Sequence, residues 1–409
     1  MSLYNLERNE DIEGISDLLR SSDKETIRER AAKILGRFPR EVGSKAVKAL
    51  LNASMEDESK DVRIAAVESL SRLEEENAIT EIISSEGGFS AEDSQNIIDT
   101  ALRGVESDES VVRAASVSLL GMARGTEASK KAMEVLEDRK NDSSVKVREV
   151  TARVLEDIDN PVASGTLVSM ADDSSPRVRR EVASSLAAHK NPGVKEAVLE
   201  LSEDSNPEVR RAAVSTLGEF AGKNVVEATA KRITEDEASI GLSAAFSLIE
   251  VLSNSPTGRS HEIRKFAGEL IEESAVGGST AEALTDVLDA QERVARRNAA
   301  WLLGKVSGSN PKVINSLIDA LGDEDNMTAQ FSAKALGNIG GDKVRNYLIE
   351  ALKEDEEIRS MVVMALGEVG GEKVEGALSR LVDRTEDDDV REKAFKALSK
   401  IDESPGNHI

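Results

Sequence analysis

No cysteine occurs among the 409 residues, which excludes disulfides, thiolate catalysis, iron–sulfur ligation and zinc fingers together. Aromatic residues make up only 2 %, so a core must be assembled from Ala, Val, Leu and Ile within an apolar share of 39 %. Cations are in deficit: 53 Lys and Arg stand against 77 Asp and Glu, for a net charge of −24. Phosphate backbones draw their affinity from clustered Lys and Arg, so the balance argues against nucleic acid as a partner. It disfavours anionic membrane surfaces for the same reason. No run reaches the 18 or so apolar residues of a membrane span, so no membrane insertion is expected. The opening MSLYNLERNEDIEG lacks the apolar stretch of a signal peptide, which points to a cytoplasmic location. An acidic, cysteine-free, aromatic-poor composition is typical of salt-loving microbes, where solvated carboxylates keep a surface hydrated. A halophilic archaeal source is the expectation.

What the chain does have is repetition. The segments SDESVVRAASVSLLGMA, DSNPEVRRAAVSTLGEF and EDEEIRSMVVMALGEVG share one grammar. An acidic or Ser/Asn/Pro turn leads into a branched apolar residue and an Arg. Small apolar residues follow, then a Leu seven after the Arg, and often a Gly. The Arg slot is filled by Arg28, Arg63, Arg113, Arg148, Arg179, Arg210, Arg264, Arg296, Arg359 and Arg391. Gly241 and Ala329 keep the frame without the Arg. Arg148, Arg179, Arg210 and Gly241 follow one another at steps of 31 residues.

Each copy reads as two helices. In the first, the positions −1, +3, +4 and +7 from the slot fall on one face at 3.6-residue spacing. For Arg210 these are Val209, Ala213, Val214 and Leu217. Acidic turn residues such as Asp204 and Glu208 sit where they cap the next helix and meet its positive end. Neither helix buries its stripe alone, so successive pairs must stack. The fold class predicted is all-α, an α-α superhelix of about twelve repeats.

Two spacings break the rhythm. Fifty residues separate Arg63 from Arg113, with the excess around residues 86–95, read as an enlarged loop or a longer second helix. Only 23 separate Gly241 from Arg264. The segment SNSPTGRSHE in that gap is read as a break at 253–262. It divides an N-terminal arm, 1–252, from a C-terminal arm, 263–400, with a flexible tail at 401–409.

The pattern D-x-x-x-V-R-x-x-A-A-x-x-L-G resembles HEAT repeats, specifically the short kind found in phycobilisome-lyase-like proteins. The resemblance runs over roughly residues 10 to 400. It implies a solenoid in which turn Asp and helix Arg of neighbouring repeats bond in a ladder, with Asp108 and Arg113, and Asp204 and Arg210, at matching positions. Several branches of this fold fail on residues. Deoxyhypusine hydroxylases hold iron with paired His-Glu motifs, and only His261-Glu262 occurs here, among three histidines. HEAT-like DNA glycosylases need a basic, aromatic groove. A bilin-lyase-like accessory enzyme acting on a protein-bound group stands as the alternative, with no residue assignable to a chromophore. What remains is a non-catalytic protein–protein interaction scaffold or adaptor presenting a concave surface. The opening residues and the acidity also resemble haloarchaeal HEAT proteins of taxis signalling, which implies chemotaxis or motility components as partners.

Candidate sites are few. The slot Arg residues are read as a structural ladder. Arg180, Arg211 and Arg297 follow a slot directly, lie about 100° round the helix, and are candidate partner contacts. Trp301 lies off the core stripe and Phe89 falls in the enlarged segment; both are candidate anchors for a partner. His189 in AAHKNPG and His261 have no nucleophile suggested nearby, and His408 is in the tail. The acid runs 323–326, 354–357 and 386–389 lack the alternating ligands and central Gly of a calcium loop. The glycines of GNIGGDK and GEVGGEK are read as helix terminators rather than phosphate loops. No catalytic residue, cofactor or metal ligand is assigned.

Overall fold

Small and branched residues at helical spacing produce helices throughout the computed structural model. It describes residues 3–38, 42–75, 91–121, 127–235, 237–255, 260–272, 278–306, 310–354 and 358–402. Among the described residues there are 24 α-helices, three short 3-10 helices and no strand. The fold is an α-solenoid whose internal contacts divide into two units.

Unit 1, Met1–Leu201, contains α1 (Leu3–Arg8), α2 (Ile12–Ser21), α3 (Glu25–Leu35), α4 (Ser44–Glu56), α5 (Lys60–Glu75), α6 (Ala91–Gly104), α7 (Ser110–Leu120), α8 (Glu127–Arg139), α9 (Val145–Glu156), α10 (Pro161–Ser169), α11 (Pro176–Ser185) and α12 (Pro192–Leu201). The slot helices α3, α5, α7, α9 and α11 pack side by side as one row. The even-numbered helices from α2 to α12 form a second row, each of α2 to α10 packing on the slot helix that follows it. Residues 91–95 open α6, whereas 76–90, with Phe89, lie outside the described residues.

Unit 2, Ser202–Ile409, contains α13 (Pro207–Leu217), α14 (Lys223–Glu235), α15 (Ala238–Ser253), α16 (Ser260–Glu272), α17 (Gly278–Leu284), α18 (Arg293–Val306), α19 (Pro311–Asp319), α20 (Asn326–Ile339), α21 (Gly341–Glu354), α22 (Arg359–Val369), α23 (Glu372–Arg384) and α24 (Asp388–Asp402). Here the slot row runs α13, α15, α18, α20, α22, α24. Its stripe is dry: Val209, Ala213, Val214 and Leu217 of α13 are fully buried, as are Ala299, Ala300 and Leu303 of α18. α15 packs directly on α18, and α17 with the 3-10 helix Thr285–Asp289 fills the second row between them. This leaves α16 as an additional helix, packed on α14, α15 and α18. The 23-residue step from Gly241 to Arg264 is its signature. Of the segment 253–262, which falls in unit 2, Ser253 closes α15 and 260–262 open α16, while 256–259 lie outside the described residues.

The glycines of the two GG motifs close helices. Gly340, Gly341, Gly370 and Gly371 have φ of 57°, 80°, 62° and 102°, the left-handed region in which glycine alone is unstrained. Asn206 and Asp325 cap α13 and α20, accepting from main-chain N–H groups of the first turn.

Candidate functional site

Two polar arrangements stand out, one along the slot row and one in a cleft. In the first, each Arg uses its two ends differently. Arg113 donates from Nε and Nη2 to the Asp142 carboxylate, both at 2.8 Å, and from Nη1 to the Ser107 carbonyl at 2.9 Å. Arg28 does the same with Asp57 and the Ser22 carbonyl, Arg148 with Asp173 and the Asp142 carbonyl, and Arg296 with Asp323 and the Ala290 carbonyl. The carbonyl always lies six residues before the Arg; Arg63, Arg179, Arg210 and Arg391 make that bond also. The turn Asp is thus a double hook. Its carboxylate takes the preceding repeat's Arg and its carbonyl takes its own, and Asp142 and Asp173 link Arg113, Arg148 and Arg179 in one chain. The Asp108–Arg113 and Asp204–Arg210 contacts run through the Asp carbonyls, at 3.0 and 2.9 Å. Arg359 donates to the Leu352 carbonyl.

The same carboxylates brace the turn that enters the next helix: Asp57, Asp142 and Asp173 accept from the N–H of Ser59, Ser144 and Ser175. The Arg28 bond holds the Asp57 carboxyl below the usual carboxylate range. At Asp142 and Asp173 burial pushes upward, but the Arg and Ser donors outweigh it and the net shift is down. Asp325, bonded by Arg297 and by Thr328, is held far down as well. Folded pKa values below the unfolded value near 3.9 mean fewer protons bound in the folded state. That stability is complete above the unfolded pKa and is lost as pH falls through the folded ones. Glu156, pushed up by burial, acts with the opposite sign. Urea midpoints are therefore expected to be level from pH 7 to about 5 and to fall steeply below about 4. A midpoint that stays level through pH 3 would rule the ladder out as a main source of stability.

Arg264 departs from this arrangement. It lies on α16, outside the slot row, donates to Asn298 Oδ1 at 2.9 Å, and stacks over Phe331 with its guanidinium 5.4 Å from the ring centre. Burial and the neighbouring Arg297 charge push its pKa down. Around it lies a cleft of about 370 Å³ between α16, α18 and α20. Lys265 and Gly268 come from α16, Trp301 and Lys305 from α18, and Phe331, Lys334 and Asn338 from α20. The Trp301 ring and the Lys305 stem lie close over Gly268, where a Cβ would meet them in ordinary contact at 3.6 and 3.5 Å. Burial first, then the Lys334 charge, lowers the Lys305 pKa. Among the described residues Glu269 is the one carboxylate in the lining, and Lys265 lies 3.9 Å from it. A chain carrying −24 thus presents a cationic, aromatic cleft.

The other singled-out residues are placed as follows. Arg297 is bound by both oxygens of Asp325. Arg211 pairs with Glu208 on the exposed face of α13, and Arg180 is exposed on α11. His189 is buried, with Nε2 3.2 Å from the Leu155 carbonyl, and so ties α9 to the turn after α11. His261 is exposed at the rim of the cleft. Among the described residues, no group of three or more His, Asp or Glu is placed to hold a metal ion.

Stacked helix pairs with an Arg–Asp ladder define a repeat protein, and the chain belongs to the HEAT-repeat family. The family's model, HEAT repeats, matches residues 12–85, 133–218, 166–250, 281–359 and 348–406. The chain is 39 % identical over 410 residues to a HEAT repeat-containing taxis protein of Halobacterium salinarum, covering 98 % of each. Among solved structures it is similar to an engineered protein, at 19 % identity and a TM-score of 0.42, covering 96 % of this chain and 99 % of that one.

Proposed function

We propose that the protein is a non-catalytic adaptor of taxis signalling, holding chemotaxis or motility components in the cytoplasm of a halophilic archaeon. The observation that carries the reading is the near full-length identity to a protein named for taxis. The architecture supports it. Helix pairs tied by the Arg–Asp ladder give surfaces that are ordered before a partner arrives, which lowers the entropy cost of binding. The chemistry supports it too. The buried histidine is engaged with main chain, and most slot Arg residues with turn carbonyls and carboxylates, rather than with a nucleophile or a general base. The net charge of −24 and the absence of helices able to cross a membrane, among the described residues, suit a hydrated protein in a salty interior.

Deletion of the gene in its native host tests this. Cells are expected to keep assembling their motility apparatus and to swim, but to lose stimulus-dependent changes of direction, and re-expression restores them. Unchanged responses to attractants, repellents and light would remove the taxis assignment.

A further inference from the structure

We propose that the cleft between α16, α18 and α20 is the docking point for an acidic segment of a partner protein, with its carboxylates on Lys305, Lys334 and Lys265 and an apolar side chain against Trp301. The inference rests on the adaptor reading only in taking the partner to be a protein.

Charge complementarity is the first argument. The cleft gathers Arg264, Lys265, Lys305 and Lys334 around a single carboxylate, against the sign of the whole chain. A cleft of unit 1 has the opposite balance, with Asp23, Glu56, Asp57 and Glu58 against Arg20 and Arg28. Burial first, and then repulsion by the Lys334 charge, disfavours the charged form of Lys305. An incoming anion relieves that repulsion.

The second argument is the apolar floor. Trp301 and Phe331 are half-buried rather than sealed in the core. On the same helix faces, Val294 two turns before Trp301 and Met327 one turn before Phe331 are 40 % and 41 % exposed. Aromatic surface beside cations, with Val294 and Met327 continuing it, suits a peptide that alternates acidic and apolar side chains. It suits a lone phosphate less well. Phosphate is best gripped by an Arg fork or by a cradle of main-chain N–H groups. Here the guanidinium is already bonded to Asn298 and laid on Phe331, and the floor is helix flank.

The third argument is the origin of the wall. α16 is the helix that interrupts the repeat, and without it the flanks of α18 and α20 would form only a shallow seam. The irregularity in the stack and the cationic cleft coincide.

Trp301 is the only tryptophan, so its fluorescence reports on the cleft directly. The full-length protein is titrated with a short synthetic peptide of Asp, Glu and Leu, and in parallel with its Lys counterpart, inorganic phosphate and ATP. A saturable change with the acidic peptide alone is expected, weakening as salt is raised. Lys334→Glu, an exposed change that leaves the core intact, is expected to weaken binding about tenfold, and Lys305→Glu with Lys334→Glu further. Lys131→Glu, on the exposed side of α8 in unit 1, leaves it unchanged. No saturable response, equal affinity in the reversed variants, or saturation by phosphate or ATP below the peptide concentration would each overturn the proposal. A host whose taxis requires the gene but tolerates Lys334→Glu would overturn the cleft and spare the adaptor. A deletion strain with normal taxis, beside a protein that binds the peptide, would do the reverse.

Discussion

Asp142→Ala is expected to destabilise unit 1 by about 3–5 kcal/mol, against about 0–1 for breaking the exposed Arg211–Glu208 pair of α13. The difference is burial and connectivity. The Asp142 side chain is 4 % exposed and that of Arg113 is 12 % exposed. Truncating Asp142 leaves a buried guanidinium with its main-chain bond to Ser107 but without its counter-ion. It also removes the acceptor for the Ser144 N–H at the start of α9. The carbonyl of residue 142 still holds Arg148, so the loss falls on the seam between α7 and α9. Urea unfolding at pH 7 followed by circular dichroism measures the size. Hydrogen exchange of α7 and α9 amides measures the place. Asp142→Asn, which keeps an acceptor for the Ser144 N–H and drops the charge, is expected between the two. A loss below about 1 kcal/mol in Asp142→Ala would mean that the ladder contributes register without stability.

The ladder shows how far the sequence could be read. Frame and periodicity are local properties, and they located the slot helices and the stripe that is buried in α13 and α18. The partner of each Arg is a matter of stacking. The family resemblance puts Asp108 and Arg113 at matching ladder positions; in space that contact is made by the Asp108 carbonyl, while the carboxylate comes from Asp142 in the next repeat. An Asp recurring 25 to 29 residues after the Arg was the available signal. Arg264 matched the slot because α16 is amphipathic with the same spacing, burying Ala267 and Ile271. Periodicity reports that a helix has one apolar face; it does not report which row the helix joins. The cleft was the least legible part. Trp301 was visible as an aromatic off the stripe, but Lys305 and Lys334 are two cations among 53, and only the insertion of α16 gives them a shared wall.

Glycine offers the sharper test of row packing, because one chemical change is expected to have opposite signs at two places. Gly376 lies within α23 with nothing within 4 Å of where a Cβ would stand. Gly376→Ala removes backbone freedom from the unfolded chain and is expected to stabilise by about 0.5–1 kcal/mol. Gly304 lies in the last turn of α18, where a Cβ would stand 2.7 Å from Ala335 Cα and 2.8 Å from its Cβ. The first of those atoms is backbone of α20 and cannot rotate aside. The helical gain of Ala is therefore outweighed by overpacking, and Gly304→Ala is expected to cost a net 1–2 kcal/mol or so, with Gly304→Val costing more. The mechanism also predicts a local signature. Trp301 and Lys305 flank Gly304, and Ala335 lines the same cleft, so prising α18 from α20 must alter the Trp301 emission. Gly376→Ala must leave it alone. Urea midpoints that move in the same direction for both variants would show that helix propensity, and not the approach of neighbouring slot helices, sets the stability of this row.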